Sequence, residues 1–377
     1  MSTIDSYLPG NIGSWPVVTI STLRDSGTGS LRAALALAYP RIIRFAVGGT
    51  ITLQSQITAT SGSFFLDGRG APGSGVQVTN AGFIVQDCSD AFITDMRFRC
   101  GNEGPEAAND YGLLVYGANT LTDNIVIANC SIAGGTGDGE TFSAWGRVGT
   151  IKLLDSIVAR PTVWVPTGHC TGILAGGVNS DNINLLVDRC LIAQSRQRNP
   201  LFQLRGGVMR MARSLIADYG QYAAEVEMIT GLGLAEFVGN HFWKGPSYMM
   251  GYNRRPIAVT APFVAGSIRI EGNEWTDGQA FTTQLELAGD KDSTPNSTQT
   301  VIPASVLAAD SGEGWEAVDI EGTLALVGPS LRDAFDDEVT AAIIDETIYD
   351  NENDWTMPST VEARKSRLRM QWLGGFG

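Results

Sequence analysis

The sequence predicts an all-β protein, a right-handed, single-stranded parallel β-helix (a solenoid) with an N-terminal capping helix and a mixed C-terminal segment. Three observations carry that expectation. Glycine makes up 45 of the 377 residues, well above its usual share of about 7%, which favours many short strands joined by tight bends. A short apolar-alternating strand that ends in a polar corner and runs into a second strand recurs along most of the chain. Its corners, at positions 95, 129, 155, 188, 213, 240 and 273, are never closer than 25 residues, and the excess over that minimum varies. Stacked coils behave this way, because each coil keeps its strands in register and lets insertions out at the corners. The minimum leaves room for three short strands and their turns.

At the N-terminal end, Asp25 to Ala38 offers Thr28 or Ser30 as an N-cap followed by helix formers, so a helix is expected to plug the first coil. The strands follow in pairs: Ile93–Phe98, Ile125–Ile132, Ile151–Val158, Leu185–Ile192, Met209–Ile216, Leu234–Phe242 and Ile268–Trp275. Asn129, Asn240 and Asn273 are expected to bond coil to coil at the corners, with Ile, Leu, Val and Cys stacked inside. The five cysteines (88, 100, 130, 170 and 190) have no close-spaced metal pattern, and Cys130 and Cys190 read as free, buried thiols. Ala309 to Trp355 is strongly acidic, and from Ser330 a helical pattern places Leu331, Phe335, Val339 and Ile343 on one face. A basic tail with Arg364, Lys365, Arg367 and Arg369 closes the chain. The expected organisation is a cap and β-helix over 1–290 and an acidic segment with a short helix and basic tail over 291–377, packed on the β-helix or on a partner.

Charge excludes several functions. With 26 basic and 40 acidic side chains the net charge is −14, and only four of the basic residues are Lys. No diffuse basic field exists to hold nucleic acid, and no stretch of about 18 apolar residues exists to insert into a membrane. An acidic ligand would have to be gripped locally, by Arg. The first residues lack the charged-then-apolar pattern of a secretion signal, so an extracellular or virion-associated location implies a removed signal or another route out of the cell.

Several stretches resemble the pectate lyase family of polysaccharide lyases. They are Val18 to Gly27 with Ser30 to Ala34, Ile42 to Ile51, Leu66 to Gly73, His169 to Gly177, Ser195 to Leu201, and Val327 to Pro329 with Arg332 to Asp336. Order and spacing agree over roughly residues 16 to 345. The resemblance implies β-elimination on a polyuronate: a base removes the proton at C5 and the C4 glycosidic oxygen departs. It implies Arg198, in Arg198-Asn199-Pro200, as that base, with Arg205 and His169 beside it in the chemistry and Arg196 and Trp145 as substrate-binding residues. Calcium is the implied cofactor, because a bridging divalent cation acidifies C5–H and supplies the positive field in which a guanidinium can release a proton. Its candidate ligands are Asp110, Asp138 and Glu140; the family's Asp-His pair is replaced here by Ala128-Asn129 ahead of Cys130-Ser131.

Two functions follow. One is a lyase that cleaves, or a protein that binds, an acidic polysaccharide along the groove of the β-helix. The other is a phage tailspike or fibre that recognises a bacterial surface glycan, for which a homotrimer or contact with other virion proteins is expected.

Overall fold

A computed structural model describes residues 3–100, 111–135, 140–161, 171–195, 197–219, 223–230, 232–243, 256–260, 266–275, 286–287 and 314–344. The chain winds through three parallel sheets. One coil runs Thr150–Leu154 in sheet A, Ile157–Ala159 in sheet B and Ile173–Gly176 in sheet C; the next runs Asn184–Asp188, Leu191–Ala193 and Leu201–Leu204. Sheet A begins at Val17–Ile20 and reaches Ile268–Glu271, sheet B begins at Gly49–Thr52 and reaches Glu274–Trp275, and sheet C begins at Ile57–Ala59 and reaches Glu286–Leu287. Every recorded pairing is parallel, so the predicted right-handed parallel β-helix is the observed fold.

Side chains alternate along each strand, and one set from all three sheets fills a single column of core. Ile127, Leu153, Val187 and Met211 enter it from sheet A, Ile132, Val158 and Ile192 from sheet B, and Phe142, Ile173 and Phe202 from sheet C. At about 25 cal/mol per Å² of apolar surface removed from water, this continuous column is the main favourable contribution to folding. The predicted plug is α1, Leu31–Leu35, whose Leu31, Ala34 and Leu35 join the core at its open end. Ser30, not Thr28, is its N-cap, accepting from Ala33 N at 3.2 Å. Fully buried Arg41 donates to the carbonyls of Ala34 and Leu35, which ends the helix after five residues.

The corner between sheets A and B is made by one residue in the left-handed region: Asp95, Asn129, Asp155, Arg189, Arg213, Gly239 and Gly272. The positions that bond coil to coil come one residue later. Cys130 N donates to Ser156 Oγ at 3.0 Å, Cys190 N to Ser214 Oγ at 3.1 Å, Ser214 N to Asn240 Oδ1 at 3.0 Å and Asn240 N to Asn273 Oδ1 at 2.8 Å. Asn240 and Asn273 therefore act as expected. Asn129 does not, because it supplies the left-handed turn itself and leaves the stacked position to Cys130. Cys88, Cys130 and Cys190 are free and buried, Cys100 is buried, and Cys170 lies outside the described residues.

Two of the three outward faces carry chain segments. The N-terminal stretch lays Ile4, Tyr7, Leu8 and Trp15 over Ile42, Phe65, Phe92 and Val126 of sheet A. On sheet B lie two helices, α2 (Ile320–Leu326) and α3 (Ala334–Ile344), whose Leu324, Val339 and Ile343 pack on Ile157, Leu191, Leu215 and Trp243. Leu331 departs from the expected helical stripe: it precedes α3 and is exposed, while Asp333 caps the helix by accepting from Asp336 N at 3.0 Å. The basic tail lies outside the described residues, and no described helix is long and apolar enough to cross a membrane.

Candidate active site

Sheet C carries no described segment on its outward face, and the strongest sequence candidates gather at its leading edge. Phe142 pairs with Ile173, and Leu174 with Leu201, so Phe142, Ile173 and Pro200 stand at one level on three successive coils. Glu140 and Arg198 each precede that level by two residues. Their backbones are two coils apart, roughly 10 Å, and the long Arg198 side chain bridges the gap to place its guanidinium 3.1 Å from Glu140 Oε1. Both are shielded, with side-chain exposures of 14% for Arg198 and 5% for Glu140, so the pair sits where solvent screens charge weakly.

Local backbone geometry aims the arginine. Gln197 bridges Thr171 while Leu201 pairs with Leu174, so four residue steps on one coil face three on its neighbour. The extra residue is a bulge, a device that redirects a side chain. Arg198 takes it up at φ +59°, a region sparsely populated by side-chain-bearing residues, and a cis Asn199–Pro200 bond follows. The coil already has left-handed corners at Arg189 and Gln194, so Arg198 is a third left-handed residue in the same coil. Backbone hydrogen bonds from Ile173 N to Arg198 O at 2.8 Å and from Gly172 N to Gln197 O at 3.4 Å hold the bulge against the coil below.

The other candidates fall elsewhere. Arg205 follows the far end of the same strand and donates to the carbonyl of Val178. It lies seven positions beyond Arg198, on the other side of the strand Leu201–Leu204. Trp145 faces outward from sheet C, half-buried, with its ring centroid 4.1 Å from that of Tyr116. Asp110, Asp138, His169 and Arg196 lie outside the described residues.

Of the three expected calcium ligands only Glu140 is described, and its carboxylate faces a guanidinium. Among the described residues no group of three His, Cys, Asp or Glu side chains is placed to hold a metal ion. With Asp110 and Asp138 outside the described residues, the expected ligand set is not seen together; what is described is Glu140 paired with Arg198. The pairing had no signal in the sequence, since Glu140 stands two residues ahead of its strand and Arg198 three ahead of its own. Tyr116 and the bulge had none either.

Comparison with known proteins agrees with this architecture. The chain is 27% identical over 342 residues to a probable pectate lyase C of Aspergillus terreus, which covers 87% of this chain and 72% of that protein. It is 30% identical over 234 residues to probable pectate lyases C of Neosartorya fischeri and Aspergillus fumigatus, covering 61% of this chain and 50% of theirs. The chain thus spans about half the length of these last relatives. Its fold matches the crystal structure of Jun a 1, the major allergen from cedar pollen, with a TM-score of 0.57 and 16% identity, over 87% of this chain and 92% of that one. No protein-family profile matches the chain. Fold and relatives together define a pectate-lyase-like parallel β-helix, similar in sequence to the fungal enzymes.

Proposed function

We propose that this protein is a polysaccharide lyase that acts on an acidic glycan lying across sheet C, with Arg198 as the base. The observation that carries the reading is the shielded Arg198–Glu140 pair, set on a bulge at the edge of the one outward face without a described covering segment. In the reaction the Arg198 guanidinium first gives up a proton to solvent, and its neutral form takes the proton from C5 of a uronate unit. The electrons left behind form the C4–C5 double bond, the C4–O bond breaks, and the departing oxygen takes up a proton. Glu140 is a positioning residue that fixes the direction of the guanidinium. Arg205 supplies a second cation farther along the same strand, for a different sugar unit. His169 and Arg196, outside the described residues, keep the roles that the resemblance implies for them. An acidic glycan of this kind places the work outside cells. The virion tailspike gains no support from these relatives.

The test is absorbance of the unsaturated product on a panel of polyuronates, with calcium and with chelator. Arg198→Ala is expected to lower the rate about a hundredfold or more, since a positioned base contributes that much. Arg198→Ala with an unchanged rate would remove Arg198 from the chemistry. A chelator-sensitive rate would direct attention to Asp110 and Asp138.

A further inference from the structure

Tyr116 and Trp145 are partners in register on successive coils of sheet C. The residues just before them, Val115 and Ala144, are fully buried in the core, so the alternation of a strand turns both rings outward. Leu114 and Ser143, the outward residues two positions nearer the leading edge, are buried. Tyr116 and Trp145 are only half-buried. On these two strands the accessible part of the outward face is therefore the aromatic pair itself.

The two rings form one unit, with centroids 4.1 Å apart and planes inclined by 42°. The backbone is shaped around them. Gly146 follows Trp145 at φ +83°, and a Cβ there would stand 2.8 Å from Tyr116 Cε2, so the tyrosine ring lies where only glycine leaves room. Gln86, paired with Tyr116 on its other side, adds an amide that is held by donation from Nε2 to Asp87 Oδ2 at 3.3 Å. Trp145 belongs to Phe142–Val148, the strand that Glu140 leads into, so the pair is built on the coil that supplies the partner of Arg198.

Aromatic faces carry partial negative charge, and a ligand that covers them with partly positive C–H groups gains both that attraction and the removal of apolar surface from water. A pyranose ring has this form, a face of C–H groups with hydroxyls at its rim, and the rim hydroxyls can bond to polar groups at the edge of an apolar site, such as the Gln86 amide. We propose that Tyr116 and Trp145 form a stacking platform for a pyranose ring of the glycan other than the unit that reacts at Arg198. The resemblance implies substrate contact at Trp145; the geometry adds Tyr116 and makes the contact one of ring on ring. That contact uses C–H groups and not a carboxylate, so a uronate, its ester and a neutral hexose all carry the chemistry it recognises. This inference rests on the lyase reading above and names how the site holds its substrate.

The test is isothermal titration of the full chain with oligogalacturonate, its methyl ester and a neutral galactan oligomer, beside lyase kinetics on whichever is cleaved. The tightest binder identifies which source supplies the stacked ring. Trp145→Ala and Tyr116→Ala are each expected to weaken its binding about tenfold, and to raise KM on a cleaved substrate by a like factor while kcat changes less than about twofold. Trp145→Leu keeps an apolar cover over the strand and should lose as much as Trp145→Ala, whereas Trp145→Phe keeps a ring and should bind within about threefold of the unaltered chain. If Trp145→Leu bound as well as the unaltered chain, the pair would be a cover and not a platform. Unchanged binding and KM in both alanine variants would overturn the platform even if product forms. Ring-dependent binding with no product from any glycan would leave the platform standing and overturn the lyase reading. No binding of any of the three would overturn both.

Discussion

Sheets B and C are built from the same coils with the same core, yet their outward faces have opposite fates. Sheet B presents Arg97 and Arg99, and α3 covers them with acid. Arg99 and Asp336 are both fully buried and 2.7 Å apart, Ser131 Oγ donates to the same carboxylate, and Arg97 Nε lies 3.3 Å from Asp333. Phe335 sits 4.3 Å from the Arg99 guanidinium and 5.1 Å from that of Arg160. On sheet C the one described arginine at the leading edge pairs with a glutamate from its own solenoid, and no described segment lies over the face. The difference teaches that one solenoid can answer its outward charge in two ways. On sheet B a packed helix closes it and serves stability, while on sheet C a glutamate two coils away answers it.

The largest effect should come from breaking the closed face. Asp336→Ala leaves the Arg99 cation buried without its partner, which typically costs about 3–5 kcal/mol. Urea unfolding should show that loss. The double variant Arg99→Met with Asp336→Leu should recover most of it, because replacing both members of a buried pair by apolar groups is often neutral. A loss below about 1 kcal/mol for Asp336→Ala would mean that the apolar contacts of Val339 and Ile343, rather than this ion pair, carry the docking of α3.

The closed face was half legible in the sequence. Phe335, Val339 and Ile343 declared a helix by their spacing, but nothing nearby showed that Asp336 answers Arg99, 237 residues away. Coil spacing was legible because each coil needs three strands and three turns, whatever its sequence. The exact corner residue was not, because Asp188, Asn240 and Asn273 are polar and lie only one position away from the true corners Arg189, Gly239 and Gly272. Arg198 stood out as one of several arginines in a chain poor in basic residues. Its partner did not, because an extended strand brings Glu140 alongside only through the pairing of coils 58 residues apart.

A smaller effect, at the opposite edge of sheet C, separates the two faces by pH. Asp87 follows the strand Phe83–Gln86 and accepts from the N–H groups of Ala118, Asn119 and Thr120 at 2.9–3.0 Å, pinning the irregular turn between sheets C and A. Burial pulls this carboxyl up, but the amide donors outweigh it and hold the pKa at about 2. A carboxyl depressed by folding stabilises above its unfolded value of about 4 and stops doing so as pH falls through the folded value. Asp87→Ala should therefore cost about 1 kcal/mol at neutral pH, after allowance for solvent screening, and the two unfolding curves should converge between about pH 4 and 2. Curves that stay parallel to acid pH would mean that the turn is held by its backbone alone.

The smallest effect is the control for both. Arg147 and Asp181 form an ion pair at 3.8 Å on the same edge as Asp87, with side-chain exposures of 58% and 55%. At that distance and exposure the attraction is screened, and ordering two long side chains opposes it, so Arg147→Ala should change stability by less than about 0.5 kcal/mol. The Arg99–Asp336 pair joins the same chemical groups at 2.7 Å with no exposure at all. If thermal unfolding showed comparable losses for the two, burial would not be what distinguishes the faces. The closure of sheet B would then have to be assigned to its apolar contacts rather than to its charges.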